Sequence, residues 1–132
     1  MVTINELMIQ EHIKLLRLLS EIGEKQQTDF FITKTLLNKF REAVQRHFFQ
    51  EETIIFERVI KVRGKKDLIR LIKEHKEINE LIDKIEKDID FNLSPKIDNL
   101  KIVFINHSRF ETETFYPRLD KELNNKIKIR LS

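Results

Sequence analysis

Hydrophobic residues recur every three or four positions in four successive segments of the chain, a spacing that lines one face of an α-helix. No competing pattern of alternating residues indicates a β-strand. The predicted helices run from about Ile4 to Ile22, from about Phe31 to Val62, from about Lys65 to Ile89, and from Ser94 to Pro117. The inward-facing residues of the third are predicted to be Leu68, Leu71, Ile72, Ile78, Ile82 and Ile85.

Residues that commonly terminate helices lie at the ends of these segments. Gly23 and Gly64 are expected to cap the first two helices, because glycine readily adopts the left-handed backbone found there. Ser94 and Pro95 have the pattern of an N-cap followed by a first turn, and so predict the start of the fourth helix. Pro117 is expected to end or kink that helix.

The short connections between the segments make consecutive helices antiparallel neighbours. The predicted fold is therefore all-α, an up-down-up-down four-helix bundle, with residues 118–132 forming a short C-terminal helical extension. The sequence contains no internal repeat or linker. We expect residues 1–132 to form a single domain, as the length also favours.

Composition narrows the possible functions. Charged residues make up 36% of the chain, but the formal net charge is only +3, which argues against a nucleic-acid partner. The chain has no cysteine, which excludes disulfides, a thiolate metal site and a catalytic thiol. There is no signal-peptide pattern, and no apolar stretch approaches the roughly 18 residues of a membrane span. The expected location is cytoplasmic, without a membrane partner.

The four histidines are distributed one to each predicted helix, and each lies on the apolar stripe. They are His12, His47, His75 and His107. In antiparallel helices, two residues lie at the same depth when the turn falls midway between them. This holds for the first and last successive pairs, and the middle pair is offset by roughly 5 Å, or about three residues. The four imidazoles are therefore expected to converge on one layer of the core.

Two glutamates repeat this arrangement. Glu51 follows His47 by four positions, and Glu111 follows His107 by four, so each carboxylate lies on the same helical face as its histidine. Four imidazoles and two carboxylates are a donor set suited to a buried pair of transition-metal ions. The predicted metal ligands are His12, His47, Glu51, His75, His107 and Glu111. The alternative is a set of core histidines and ordinary side-chain pairs.

Other acidic residues near the histidines are interpreted as solvated. These are Glu11, Glu52, Glu74 and Glu77. A ferritin-like di-iron site would need glutamate three residues before a histidine on two helices. None of the four histidines has one, which tells against that class.

The combined pattern resembles the hemerythrin-like (HHE cation-binding) family over nearly the whole chain. The matching segments are "QEHIKLLRLLSEI", "HFFQEE", "EHKEINELI" and "NHSRFE", and Phe115, Tyr116 and Pro117 resemble the end of that family's fourth helix. The resemblance implies a non-haem centre of two iron ions with an oxo or hydroxo bridge, in which Glu51 and Glu111 are bridging carboxylates. Manganese and zinc are the possible substitutes.

The resemblance is uneven across the family. Oxygen-carrying members have a second histidine where this chain has Asn79, and an aspartate at +5 where this chain has Glu111 at +4. The set of four histidines and two glutamates is more similar to members linked to nitric oxide response and repair of iron centres. Each iron would then have two imidazoles plus the bridges, which leaves an open position for a small ligand on one or both metals. Asn79, Tyr116 and Thr114 are candidate residues of the pocket around the ligands.

Three functions follow as hypotheses. The first is binding of a diatomic ligand, O₂ or NO, for sensing, storage or detoxification. The second is a di-iron enzyme that acts on NO or peroxide, or supports iron-centre repair, with an unknown redox partner. The third is a metal-free helical interaction module. We expect either a monomer or a homodimer.

Overall fold

A computed structural model describes residues 4–25, 29–55 and 65–121. Among them there are helices and connecting turns but no strand, which confirms the all-α prediction. The helices are α1 (Ile4–Lys25), α2 (Phe30–Gln50), α3 (Lys65–Asp90) and α4 (Asp98–Phe110). Two of them continue into π-helical segments, the first π turn (Glu51–Ile55) after α2 and the second π turn (Glu111–Phe115) after α4.

The four helices pack as a closed ring of neighbours. Each helix contacts the next one along the chain, and α1 also contacts α4 and the second π turn. This arrangement confirms the predicted bundle. None of the helices in the described part of the chain is both long and apolar enough to cross a membrane.

Buried apolar side chains form two clusters, one on each side of the histidine layer. The larger cluster includes Leu15, Phe40, Ile78 and Phe104. The smaller one contains Met8, Leu68, Leu71, Phe115, Tyr116 and Leu119. Along α1, for example, Met8 belongs to one cluster and Leu15 to the other, with His12 between them. The histidines are therefore held in a polar layer between two apolar ones.

Gly23 does not end α1, as the sequence had suggested, because the helix continues to Lys25. A Cβ atom at Gly23 would lie 3.1 Å from Ile97 Cδ1 and 2.9 Å from Lys101 Nζ. The absence of a side chain therefore allows α1 to approach the start of α4 closely. Close packing, rather than a left-handed cap, is the physical reason for glycine at this position.

The fourth helix starts later than predicted. Ser94 and Pro95 precede it, and α4 begins at Asp98 with Ile97 in the N-cap position. Asn92 has a positive φ of 56° and closes the end of α3. The chain then crosses to α4 through the following residues, where Pro95 and Ile97 are buried. This crossing uses the residues that the sequence had suggested for the first turn.

Ile72 was predicted to face inward, but the prediction is wrong, because its side chain is 46% exposed. An α-helix rotates by about 100° per residue. Relative to His75, Ile72 therefore lies about 60° to one side, whereas Leu71, Ile78 and Ile82 lie on the other side. The buried face of α3 is centred on that second side.

Pro117 does not end the fourth helix, since the chain remains helical to Lys121. The change in hydrogen bonding precedes it instead, in the second π turn, where the N–H of Tyr116 donates to the carbonyl of Glu111. The predicted end of α2 at Val62 and Gly64, and the tail beyond residue 121, lie outside the described residues.

Replacing Asp29 by alanine should lower the free energy of unfolding by about 1 kcal/mol, because Asp29 caps α2. Its side chain accepts hydrogen bonds from the backbone N–H groups of Phe31 (3.0 Å) and Ile32 (3.1 Å). Urea denaturation of Asp29→Ala and Asp29→Ser measures the effect. The serine variant keeps an acceptor and should remain near wild type. Equal losses in both variants would contradict this assignment.

Candidate metal centre

The four imidazoles meet in the core, as their spacing predicted, and all are buried. They form two pairs. The first pair is His12 of α1 and His47 of α2, with ring centroids 4.9 Å apart. The second pair is His75 of α3 and His107 of α4, also with centroids 4.9 Å apart. In the first pair the two Nε2 atoms are separated by 3.1 Å. That spacing is compatible with two nitrogens about 2 Å from a shared ion.

The two predicted carboxylates lie between these pairs and are fully buried. Glu51 Oε1 is 2.8 Å from His47 Nε2 and 3.6 Å from His75 Nε2. Glu111 Oε1 is 3.1 Å from His107 Nε2 and 3.2 Å from His12 Nε2. Each carboxylate therefore contacts one histidine of the first pair and one of the second.

Tyr116 joins the two carboxylates on their other side. Its hydroxyl oxygen lies 2.5 Å from Glu51 Oε2 and 2.9 Å from Glu111 Oε2. In an α-helix, Tyr116 would be rotated by about 140° from Glu111, five residues earlier. The wider π turn places it nearly above that residue instead. The sequence resemblance suggested Tyr116 as a pocket residue, and the π turn explains how it reaches the site.

Three further glutamates contact the outer edges of the imidazoles. Glu52 Oε1 is 3.0 Å from His75 Nδ1, Glu74 Oε1 is 2.8 Å from His107 Nδ1, and Glu11 Oε2 contacts His47 Nδ1. A carboxylate only accepts, so the Nδ1–H must donate, and this leaves Nε2 facing the centre. Carboxylates behind a histidine in this way orient the ring and strengthen it as a ligand.

Glu11 and Glu52 keep 40% and 47% of their side-chain surface exposed, as expected of solvated residues, but all three glutamates also contact imidazoles, which that interpretation did not predict. Each lies next to a residue of the cluster in the sequence, and so points away from the apolar stripe of its own helix. Each reaches a histidine on a neighbouring helix instead. A usable signal was present, because glutamate directly precedes or follows a candidate ligand in "QEH", "QEE" and "KEH". Glu77 is exposed, as expected.

These contacts shift the pKa values of two histidines upwards. Burial opposes protonation of His47, but hydrogen bonds to Glu11 and Glu51 outweigh it and raise the pKa to about 10. For His107, burial is likewise outweighed by the charge of Glu111 and by hydrogen bonds to Glu111 and Glu74, which raise the pKa to about 9. Burial and the neighbouring His47 lower the pKa of His12 to about 3.

Burial and neighbouring charges also shift the pKa values of the two carboxylates and of Tyr116. Burial and the charge of Glu51 raise the pKa of Glu111 to about 8. Burial also disfavours the ionised form of Glu51, but hydrogen bonds from Glu111 and His47 hold its pKa well below the ordinary value. Burial and the two carboxylates raise the pKa of Tyr116 well above its ordinary range, so its hydroxyl keeps its proton. Without a cation, protons compensate the buried negative charge.

Several inward-facing atoms lack a hydrogen bond of good geometry, although buried polar atoms normally have one. They include Glu51 Oε1, Glu111 Oε1 and His107 Nε2. The donor atoms form two groups, and within each group all of them lie within 4.8 Å of one another. One group is His12, His47 and Glu111, and the other is Glu51, His75, His107 and Glu111. Glu111 is common to both groups. Nitrogen and oxygen donors without sulfur fit first-row transition-metal ions, so the cluster is compatible with metal binding.

The family model described as hemerythrin HHE cation binding domain matches residues 3–122. The chain belongs to the hemerythrin HHE family. Comparisons with curated proteins and with solved structures gave no match. The match covers each of the helices in the described ranges and all six predicted ligands of this hemerythrin-like chain.

The remaining candidates of the pocket occupy more peripheral positions in the hemerythrin-like bundle. Asn79 on α3 and Thr114 in the second π turn are partly buried. Within the described ranges, neither makes a hydrogen bond to the six residues of the cluster. Tyr116 is therefore the candidate that hydrogen bonding connects directly to the carboxylates.

Replacing Glu74 by glutamine should lower the pKa of His107 in the metal-free protein. The substitution removes a carboxylate that accepts from His107 Nδ1 and that helps to hold the proton on the ring. The measurement is an NMR titration of the imidazole resonances against pH. Glu77→Gln is the matched control, because Glu77 is exposed on the same helix. An unchanged His107 titration in Glu74→Gln would rule out this contact.

Proposed function

We propose that this protein holds two iron ions in the buried cluster and binds a small diatomic ligand there, O₂ or NO, for sensing, storage or detoxification. One observation carries the proposal: each buried carboxylate contacts a histidine of the first pair and a histidine of the second. A carboxylate in that position can bridge two cations. In this assignment His12 and His47 would hold one ion, His75 and His107 would hold the other, and Glu51 and Glu111 would supply carboxylate oxygens to both.

The charge of the site supports a pair of cations. Two carboxylates are fully buried, and three more lie on the outer edges of the imidazoles. In a core, carboxylates without positive charge nearby are strongly destabilising. Two divalent ions would replace the protons that Glu111, His47 and His107 otherwise carry at neutral pH.

The shape of the site favours a very small ligand. The six residues lie between two apolar clusters, and in the part of the chain that the structure describes their donor atoms form two groups whose members lie within 4.8 Å of one another, which suits a small ligand. Surface cavities approach the first pair from two sides. One, of about 250 Å³, is lined by residues that include His47 and Glu11, and the other, of about 260 Å³, by residues that include His12 and Ser108.

Iron, when bound, supplies redox chemistry and open coordination positions for such a ligand. The protein contributes the rest. The outer carboxylates fix the imidazoles, and the apolar clusters exclude bulk water. The Tyr116 hydroxyl holds a proton between Glu51 Oε2 and Glu111 Oε2. That proton is positioned to stabilise negative charge on either carboxylate.

Protein purified from iron-supplemented cells should contain two iron ions per chain, and chelation should lower its melting temperature, because metal binding stabilises only the folded state. His47→Ala removes a ligand that contacts Glu51 and should lose both the iron and the stabilisation. Elemental analysis and thermal denaturation measure these effects. Titration of the reduced protein with O₂ and with NO then tests the ligand.

Gln45→Ala is the control for this experiment, since Gln45 is exposed on the same helix, two residues away. It should retain wild-type iron content and the same response to chelation. A wild-type protein that takes up no metal, and whose melting temperature does not respond to added ferrous iron, would leave only the metal-free helical module.

Metal affinity should rise with pH through the neutral range. The metal-free pKa values are about 10 for His47, about 9 for His107 and about 8 for Glu111, so all three groups are protonated at pH 7 and must lose protons to bind a cation. Binding at pH 7 should therefore release more than one proton. Calorimetric titration in two buffers of different ionisation enthalpy measures this number. Binding without proton release would contradict the charge state described here.

A further inference from the structure

The site has an approximate twofold repeat, in which α1 and α2 correspond to α3 and α4. His47 and His107 are 60 positions apart, as are Glu51 and Glu111. His12 and His75 are 63 positions apart, and the residues just before them are Glu11 and Glu74. The contacts follow the same repeat, because Glu11 contacts His47 of α2 and Glu74 contacts His107 of α4.

The repeat breaks at the residue after each bridging glutamate. On the first half this residue is Glu52, which accepts from His75 Nδ1 at 3.0 Å. The corresponding residue of the second half is Thr112, where a carboxylate would be needed to accept from His12. The Thr112 hydroxyl instead donates to the backbone carbonyl of Ser108, at 2.9 Å. His12 Nδ1 is buried and has no hydrogen-bond partner, unlike Nδ1 of the other three histidines in the described chain.

In the described ranges of the chain, His12 also lacks the stacked aromatic ring that His75 has. Phe48 stacks on His75, with ring centroids 3.6 Å apart and an interplanar angle of 10°. The residue that corresponds to Phe48, 60 positions later, is Ser108. It has no ring, and its buried hydroxyl oxygen lacks a hydrogen-bond partner. Among the described residues, the aromatic neighbours of His12 outside the histidine layer are Phe104 and Tyr116, whose ring centroids lie 6.2 and 6.3 Å away and which do not stack on it.

The space left by these two small residues is a groove between α1 and α4. It has a volume of about 260 Å³, and His12, Ser108 and Thr112 are among the residues that line it. Among the described residues, His12 therefore has no carboxylate at Nδ1 and no ring stacked on it, and it borders an open groove. His75, at the corresponding position, has both supports.

We propose that the two metal positions are unequal, and that the ion held by His12 and His47 binds more weakly and exchanges faster than the ion held by His75 and His107. This inference rests on the proposed function, because it requires two bound ions. The cause of the inequality is the missing support beside His12. Loss of the group behind a metal-binding histidine typically lowers affinity about 10- to 100-fold. The groove beside His12 is then the side from which the exchangeable ion enters and leaves.

The test is release of ferrous iron from the loaded, reduced protein into excess chelator under anaerobic conditions. Wild type should release its two ions in two phases of equal amplitude, with rates at least about 10-fold apart. Thr112→Glu restores the missing carboxylate beside His12 and should slow the fast phase about 10-fold or more. Thr112→Val is the matched control, because it changes the same side chain without adding an acceptor, and both phases should be retained.

The converse variant is Glu52→Thr, which gives His75 the environment of His12. Its slow phase should accelerate until the two ions leave at similar rates. This variant and the wild-type kinetics keep the inference testable even where Thr112→Glu does not fold. Far-UV circular dichroism of each loaded variant reports whether the bundle is intact.

The outcomes separate this inference from the proposed function. Two ions that leave wild type in a single phase would overturn the inequality and leave the two-iron centre standing. Two phases that Thr112→Glu and Glu52→Thr do not alter would also overturn it, because residues 52 and 112 would then not be its cause. A protein that binds no iron, or one ion per chain, would contradict the proposed function itself.

Discussion

The burial of two carboxylates at the centre of an apolar bundle is the constraint on which the rest of the structure depends. Glu51 and Glu111 are fully inaccessible to solvent and close enough to affect each other's pKa. Such a pair is destabilising unless positive charge or hydrogen-bond donors surround it. The imidazoles and the Tyr116 hydroxyl provide that surrounding, and the outer glutamates contact the far edges of three of the imidazoles. A site built in this way is complementary to cations.

Because this polar layer lies between two apolar clusters, the stability of the fold depends on whether metal ions occupy the layer. The clusters supply the burial that drives folding, while the layer between them contributes little as long as its charges are balanced by protons alone. Cations that bind the folded state add their binding free energy to its stability. The same residues therefore serve the fold and the function, and a substitution in the layer affects both.

The bundle and the six central residues were predictable because they depend on spacing along single helices. Each apolar stripe carries one histidine, and on two helices a glutamate follows it by four residues. These spacings give the direction in which each side chain points and its depth along the bundle, without knowledge of how the helices pack. Which glutamate contacts the outer edge of each imidazole depends instead on how the helices pack. Glu74 reaches His107 across a helix interface, and a residue beside the stripe carries no mark of which neighbour it faces. Ile72 was misplaced for the same reason, since the centre of the buried face is set by the adjoining helices.

The two π turns had no signal in the sequence, and they have a consequence for the length of the chain. Tyr116 reaches the carboxylates because five residues, Glu111–Phe115, make up the turn before it. Deleting one of them would restore the α-helical repeat and place the tyrosine four residues after Glu111, rotated from it by only about 40° and so on nearly the same face. Insertions and deletions are normally tolerated where a chain is exposed. Here a relative that lacks one residue of this partly buried segment could keep the same tyrosine beside the carboxylates, by forming an ordinary α-helical turn in place of the π turn.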